Sequence, residues 1–377
     1  MTRTRTALVV GGGIAGPATA MALRKAGIDP VVYEAHPAGA DGVGAFLTLG
    51  SNGIDALRVL GVDEVGGFPT PRITLRSATG KRLGETRTGG SPPSRTIKRA
   101  DLYRVLREQA RARRIAVEHG KRLVGAEDTG DGVRAVFADG TEAAGDVLVG
   151  CDGVHSTVRR IIDPAAPAPA YAGLVNTGGY ARGVPVDGEP GAYEMIFGRR
   201  AFFGYVLAPD GEVWWFANVP SRDERARPRL PEPFAGDGGP AVPLIEATPE
   251  VMPMSPIHTI PHLPAWHRGR MIVVGDAAHA PSPSSGQGAS LSIEDAVVLA
   301  KCLRDLPDPQ AAFRRLEAER RPRVERIVKW AARINSGKAA GPVARVLRDA
   351  MLPAILKLTA DNRAHREIYG HRIEWAA

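Results

Sequence analysis

Ala7-Leu-Val-Val-Gly-Gly-Gly-Ile-Ala-Gly16 is the stretch whose reading decides the fold. Its first four residues form a continuous apolar run, the pattern of a strand buried on both faces of a parallel sheet. The run ends in a G-x-G-x-x-G spacing made by Gly11, Gly13 and Gly16, with Ile14 and Ala15 inside it. Gly11 permits a tight turn off the strand, Gly13 lets backbone approach a pyrophosphate, and Gly16 lets helix and strand pack closely. Ile14 to Ala26 then reads as a helix, with Ala18, Met21, Ala22 and Leu23 at helical spacing and Gly27 as its stop. A phosphate at its start meets free N–H groups and the positive end of the helix dipole. Pro30–Glu34 is the second strand. Glu34, followed by Ala35, lies about twenty residues beyond the glycines, where an acid accepts a ribose hydroxyl. The glycine spacing alone is weak; strand, turn, helix, stop, strand and acid in order predict a βαβ dinucleotide-binding unit. At this point FAD and NAD are equally served.

Working outward, Arg99 to Arg113 reads as an amphipathic helix with Leu102, Val105 and Leu106 on one side. Val133–Phe137 and Glu142–Val149 flank Ala138-Asp-Gly-Thr141, a hairpin signal. From about Pro164 to Pro264 prolines and glycines become dense, and β-rich stretches appear at Tyr193–Phe197, Ala201–Leu207 and Glu212–Val219. The last two flank the Pro209-Asp-Gly211 turn. Arg72–Ser77 and Lys81–Thr86 are expected to join the same sheet. Met271–Val274 returns to a buried parallel strand, and Ser290 to Leu303 is a helix. The expected organisation is a discontinuous nucleotide domain (1–70, 95–165 and 265–330), a β-rich substrate domain (71–94 and 166–264) and a C-terminal helical segment (331–377). In that last segment Val343, Val346, Leu347, Met351, Leu352, Ile355 and Leu356 form an amphipathic pattern, expected to break at Pro353 and to pack on its own domain.

Composition narrows the function classes. The 377 residues are 44% hydrophobic and 24% charged, the balance of a globular chain. No apolar run approaches the roughly 18 residues of a membrane span. Met1-Thr-Arg-Thr-Arg-Thr6 leads into too short an apolar run for a signal peptide. Cys151 and Cys302 fall at a strand end and in a helix, which argues for free thiols and a cytoplasmic location. The net charge of +8 sits largely in Arg104–Arg114 and Arg314–Arg326, where Glu and Gln interrupt the arginines as on solvated helix faces. No zinc-finger, helix-turn-helix or RNA-binding pattern accompanies it, so nucleic acid is not an expected partner. The surplus suits an anionic nicotinamide cofactor.

A second motif separates the two dinucleotides. Met271-Ile-Val-Val-Gly-Asp-Ala-Ala-His-Ala-Pro-Ser-Pro-Ser-Ser-Gly-Gln-Gly-Ala-Ser290 is a buried strand, an aspartate, a proline-rich loop and a glycine-bearing helix start. With Gly11–Gly16 and the Cys151-Asp-Gly153 turn, it resembles the FAD-dependent aromatic hydroxylases, single-component flavoprotein monooxygenases of the p-hydroxybenzoate hydroxylase fold. The resemblance covers roughly residues 5 to 330. It implies that Asp276 hydrogen-bonds the FAD ribityl chain, and that the helix start around Gly286, Gly288, Ala289 and Ser290 points N–H groups at the flavin pyrimidine edge. Reduced flavin carries negative charge near N1, which a helix N-terminus stabilises. It also implies that Pro283 lies beside the isoalloxazine, that Arg99 contacts FAD and that Leu123 lies near the adenine. Asp152 and Gly153 match a second fingerprint near the pyrophosphate, implicated in nicotinamide-cofactor binding. His279 matches a structural part of its motif, and Cys151 reads as a packed residue.

The fold so implied is α/β: a Rossmann-like FAD-binding domain, with the glutathione-reductase-like βαβ unit, an inserted and mainly antiparallel substrate domain, and C-terminal helices. The segment Gly44–Gly53 and the short C-terminal portion resemble the compact members that act on urate, salicylate-like acids or tetracyclines. Arg200, Phe202, Tyr205 and Trp214 lie on stretches that in relatives floor the substrate pocket. Arg200 stands roughly where urate-hydroxylating members carry a pocket arginine, and Trp214 where they carry a tyrosine; an indole suits a larger, flatter, more apolar substrate. Trp214 and Trp215 alternate, so one faces the cavity and the other the core. Pro283, Arg200, Tyr205 and Trp214 are therefore the expected catalytic-side residues. The expected activity is an NAD(P)H-consuming hydroxylation of an aromatic or polyketide-like small molecule by dioxygen through a flavin C4a-hydroperoxide, by a monomer or homodimer without metal. A flavin oxidase or dehydrogenase shares every cofactor motif, and a non-catalytic flavin-binding protein is the other alternative.

Overall fold

The computed structural model describes residues 4–37, 45–338, 341–359 and 363–376. Gly44, at the head of the Gly44–Gly53 segment, lies outside the described residues. A six-stranded sheet carries the glycine motif, in the order His267–Arg268, Met271–Val273, Val147–Gly150, Thr6–Val10, Asp29–Glu34, Ala116–His119. It is parallel except at the His267–Arg268 edge. The first strand lies in its interior because Ala7, Leu8, Val9 and Val10 are all apolar and all buried. The helix Ala15–Lys25 is buried from Ala15 through Leu23, which its small residues allow. It ends in a Schellman arrangement: Gly27 N–H donates to the Arg24 carbonyl and Ile28 N–H to the Leu23 carbonyl, with Gly27 at φ +79°.

A seven-stranded sheet forms the second layer, in the order Ser255–Thr259, Ala170–Ala181, Val213–Pro220, Phe202–Leu207, Ala192–Phe197, Arg72–Ser77, Arg82–Arg87. Every pairing is antiparallel except Ala192–Phe197 with Arg72–Ser77. Period-two alternation gives it two faces. The back face, with Val175, Phe203, Tyr205, Trp215 and Ala217, packs against Phe234, Leu244 and Ile245. The front face, with Tyr193, Val206 and Trp214, packs on Phe46 and Phe68. These two phenylalanines belong to a small sheet of Phe46–Leu49, Arg95–Lys98 and Phe68–Pro69, which is tied to the front by Thr48 and Thr96 hydroxyls, each 3.1 Å from the Tyr193 Oη. The protein is thus an α/β fold that combines a parallel sheet with a mainly antiparallel one.

Three expectations are corrected. Glu142–Val149 is two strands in two sheets, Glu142–Gly145 and Val147–Gly150. Between them the Asp146 carboxylate accepts the N–H groups of Arg5 and Thr6, which pulls the chain onto the first strand. The helix Pro342–Thr359 continues through Pro353. The carbonyl freed belongs to Asp349, on a helix largely open to solvent, so water can serve it. Its apolar side packs on its own domain only in part: Leu356 lies against Gly84 on strand Arg82–Arg87, while Val343, Val346, Leu347, Met351 and Ile355 are exposed. Among the described residues no helix is long and apolar enough to cross a membrane.

Candidate active site

The fingerprint turn is built by close backbone approach. Gly11 has φ +106°, and a Cβ there would lie 2.5 Å from the Cys151 carbonyl oxygen. A Cβ at Gly16 would lie 1.8 Å from the Gly11 carbonyl oxygen, so helix and strand meet only without a side chain. A Cβ at Gly13 would meet nothing within 4 Å; that position faces an open cradle. No side chain caps the helix start at Ile14, and its first turn has no acid. Its N–H groups are therefore free for an anion. Glu34, at the end of its strand, turns its carboxylate to this cradle: Gly12 N–H donates to Oε2 at 2.5 Å and His36 N–H to Oε1 at 2.8 Å. Ala35 follows it, half-buried, and Leu123 is buried in the neighbouring cluster with Tyr33 and Phe137.

Asp152 and Gly153 also border the turn, but through backbone: the Asp152 Cα is 3.0 Å from a Cβ placed on Gly11. The Asp152 carboxylate is occupied elsewhere. It accepts from the Ser156 hydroxyl at 2.5 Å and from the N–H groups of Thr157 and Val158 at 2.7 and 3.1 Å, capping the helix Thr157–Ile162. Burial raises its pKa against the pull of these donors.

The second motif closes the cleft from the other end. Helix Gly288–Asp305 has no side-chain cap, and Gly286 before it adopts φ +60°. A Cβ on Gly288 would lie 3.6 Å from Asp276 Oδ1, so carboxylate and helix start face one point. Asp276 is open to the cleft with protein on its other sides; this burial raises its pKa, opposed by His279 and Arg99. Arg99 is half-buried, its Nη2 donating to the Tyr103 hydroxyl at 2.7 Å and its Nε without a partner. Ala289 is half-buried, whereas the Ser290 hydroxyl is spent on the Gly50 N–H at 3.0 Å. Pro283 is exposed, and the hydroxyls of Ser282 and Ser284 on either side donate to Asn335 Oδ1 at 3.0 and 3.1 Å.

Behind this helix a buried ionic cluster fixes its orientation. Arg320 joins Glu294 at 2.6 Å and Asp295 at 2.7 Å, Arg323 joins Glu294 at 2.8 Å, and His279 pairs with Asp295. His279 is thus a buried structural partner. Cys151 is a free, buried thiol that burial pushes up to about 12, with Sγ 3.5 Å from Thr19 Oγ1; it is no nucleophile at neutral pH.

The residues expected on the substrate side are not brought together. Tyr205 lies on the back face, its hydroxyl on the Asp187 carbonyl at 3.1 Å, because the register sets Tyr205 opposite Trp215 and Val206 opposite Trp214. Arg200 is exposed on the turn before Phe202, its guanidinium on the Glu232 carbonyl. Trp214 does lie on the front, but Phe46, Phe68 and Tyr180 enclose it, with ring centroids at 5.5, 5.0 and 5.5 Å. Its Nε1 donates to Glu212 at 2.9 Å. The rest of the front is made by Phe202, expected there, with Phe216 and Asn218, of which only Phe216 is half-exposed, and Lys338 arrives from the end of helix Pro309–Lys338. Phe216 was findable, since it shares parity with Trp214 on its strand. Lys338 carried no sequence signal, standing in a polar helix beyond every motif.

The chain matches the family described as "FAD binding domain" over residues 4–331. The FAD-dependent urate hydroxylase of Klebsiella pneumoniae is 34% identical over 345 residues, which are 85% of this chain and 87% of the relative. Aurachin C monooxygenase/isomerase of Stigmatella aurantiaca is 32% identical over 383 residues, covering 96% and 97%. The crystal structure of Klebsiella pneumoniae HpxO complexed with FAD and uric acid superposes with a TM-score of 0.85 at 29% identity, covering 96% of this chain and 97% of that one. The open glycine cradle and the unpartnered Arg99 nitrogen fit a dinucleotide of that kind. With likeness of this extent in both sequence and fold, the chain belongs to the FAD-dependent aromatic hydroxylases, a family of flavoprotein monooxygenases.

Proposed function

We propose that this protein uses NAD(P)H and dioxygen to hydroxylate a flat, electron-rich aromatic or polyketide-like small molecule. The observation that carries the reading is the aromatic front face. Phe202 and Phe216, with rings 6.1 Å apart, lie on the side of the sheet that reaches the Pro283 loop through helix Pro309–Lys338. Such a wall binds a planar ring by burial and excludes water from it.

In this reading the N–H groups after Gly13 hold the FAD pyrophosphate and Glu34 holds a ribose hydroxyl. Arg99 and Asp276 bind further along the cofactor, and the N–H groups of Gly288 and Ala289 face the pyrimidine edge. Leu123 packs near the adenine. When bound, the flavin supplies the redox chemistry, taking electrons from NAD(P)H and activating dioxygen for the oxygen-transfer route that the resemblance implies. The protein orients the ring, keeps water out and places the positive helix end beside the negative charge of the reduced cofactor. The exposed position of Arg200 leaves the wall without the expected guanidinium, which favours a more apolar substrate than urate.

The test is NAD(P)H oxidation by the FAD-loaded protein under labelled dioxygen, with urate, aurachin C and a series of phenols and hydroxynaphthalenes. One labelled oxygen atom in a ring product, with matching nicotinamide consumption, is the expected result. Stoichiometric peroxide with no labelled product from any compound supports the oxidase reading; no nicotinamide consumption at all supports a non-catalytic flavin-binding protein.

A further inference from the structure

Lys338 ends a 30-residue helix and is 8% exposed. Its Nζ donates to Asn218 Oδ1 at 2.6 Å and lies 4.0 Å from the centroid of Phe202 and 5.7 Å from that of Phe216. Among the described residues no carboxylate pairs with it. Asn218 is spoken for by a chain of amides, its Nδ2 donating to Asn176 Oδ1 at 2.8 Å. From its own helix, Asn335 one turn earlier holds both serines beside Pro283. From the following helix comes Arg348, which donates to the Gly337 carbonyl at 3.2 Å, lies 4.2 Å from the Phe197 centroid and pairs with Asp349. Burial pushes the Lys338 ammonium down to about 7. An ammonium has three donors, and one hydrogen bond plus a ring face leaves capacity unused. A buried lysine without a counter-charge is destabilising unless it loses its proton or meets an anion. The last turn of its helix joins the two regions, Asn335 meeting the Pro283 loop and Lys338 the aromatic wall.

We propose that Lys338 binds the acidic hydroxyl of the substrate, a phenol or enol, and takes its proton. The substrate O–H bond breaks and an N–H bond forms on Nζ, turning a neutral pair into an ammonium–phenolate pair. The negative oxygen enriches the ring in electrons for electrophilic attack, and the proton returns to the product oxygen on release. Asn218 positions Nζ, and Phe202 steadies the ammonium once formed. The inference rests on the hydroxylase reading of the same site and names the residue that takes the substrate proton there.

The experiment uses two probes of the same shape, 2-naphthol and 2-methoxynaphthalene, titrated into the FAD-loaded protein and followed by the flavin difference spectrum. Wild-type protein is expected to prefer the naphthol by about tenfold near pH 8. The preference should fall away below about pH 7, as Lys338 becomes protonated before the ligand arrives. Lys338→Met should erase the preference and its pH dependence while leaving ether binding and FAD content unchanged. Asn218→Asp places a carboxylate against Nζ, which raises the lysine pKa and should move the inflection upward by about one pH unit or more. A purely packing role predicts equal loss of both probes in Lys338→Met and no inflection to move. Wild-type protein that does not distinguish the probes, or binds neither, overturns the proposal. The readout involves no turnover, so discrimination without hydroxylation of any compound would defeat the monooxygenase reading alone, and hydroxylation without discrimination would defeat this inference alone.

Discussion

Across the parallel sheet, the proposed cofactor contacts are made by backbone: Gly11, Gly13 and Gly16 are defined by what a Cβ would strike or leave open, and two uncapped helix starts offer N–H groups. Across the antiparallel sheet, the proposed substrate contacts are side chains, Phe202, Phe216, Asn218 and Lys338, whose faces are set by strand parity and by a helix arriving from far along the chain. In the first region Gly11 and Gly16 leave no room for a side chain; the second can change its side chains while keeping its frame. A family that keeps one cofactor and varies its substrate would divide its labour this way. The two regions are coupled at the ionic cluster around Arg320, which anchors helix Pro309–Lys338 to helix Gly288–Asp305.

That coupling predicts the largest effect. Arg320→Met leaves Glu294 and Asp295 buried without their main counter-charge and should destabilise the protein by about 3–5 kcal/mol, read from urea unfolding. The pH dependence has a defined sign. Burial works against it, but Arg320 and Arg323 hold Glu294 down to about 2, and His279 and Arg320 hold Asp295 low as well. Depressed carboxylates stabilise the fold above their unfolded pKa values and lose that contribution as pH falls from about 4 towards their folded values. The wild-type protein should therefore lose stability steeply on acidification below about pH 4, and Arg320→Met much less so. A variant as stable as the parent at neutral pH would mean the two halves are joined by apolar packing alone.

Next comes the backbone side of the contrast. Gly16→Val forces a Cβ into the Gly11 carbonyl and should lower FAD affinity by about a hundredfold, equivalent to roughly 3 kcal/mol, as measured by fluorescence titration. Undiminished affinity would show that side chains, not the turn, hold the cofactor. On the other side, Phe216→Ala should raise KM for the accepted aromatic by about tenfold with FAD content unchanged. Tyr205→Phe, on the opposite face, should cost about 1 kcal/mol of stability through its lost hydrogen bond to Asp187 and leave KM alone. Equal KM effects from the two would dissolve the distinction between faces. The smallest effect is expected of Arg200→Ala: its exposed guanidinium should alter steady-state turnover by less than about twofold, with stability within roughly 0.5 kcal/mol.

The reading of Gly11–Gly16, Glu34 and Gly288 could be made locally because each rests on a backbone constraint within one turn. Asp276 follows from its place between a buried strand and a helix start. The alternation of Trp214 and Trp215 was likewise readable from one strand. What could not be read was the parity between strands. Pro209-Asp-Gly211 announces a hairpin, but only the register, Val206 opposite Trp214, shows that Tyr205 turns its back on the front face. Asp152 matches a motif beside the dinucleotide turn, and only the structure shows that its oxygens also accept from the helix Thr157–Ile162.

By itself, then, the amino-acid sequence determined the βαβ unit and the dinucleotide turn, since these depend on steric rules acting between neighbours, while the choice of FAD came from the resemblance its second motif carries. The tertiary structure alone decided which aromatic side chains share a wall and that Lys338, 120 residues from Asn218, stands buried without a counter-charge among the described residues. The reason is physical: burial and desolvation are properties of what surrounds a group from every direction, and most of what surrounds Lys338 comes from strands distant in the chain.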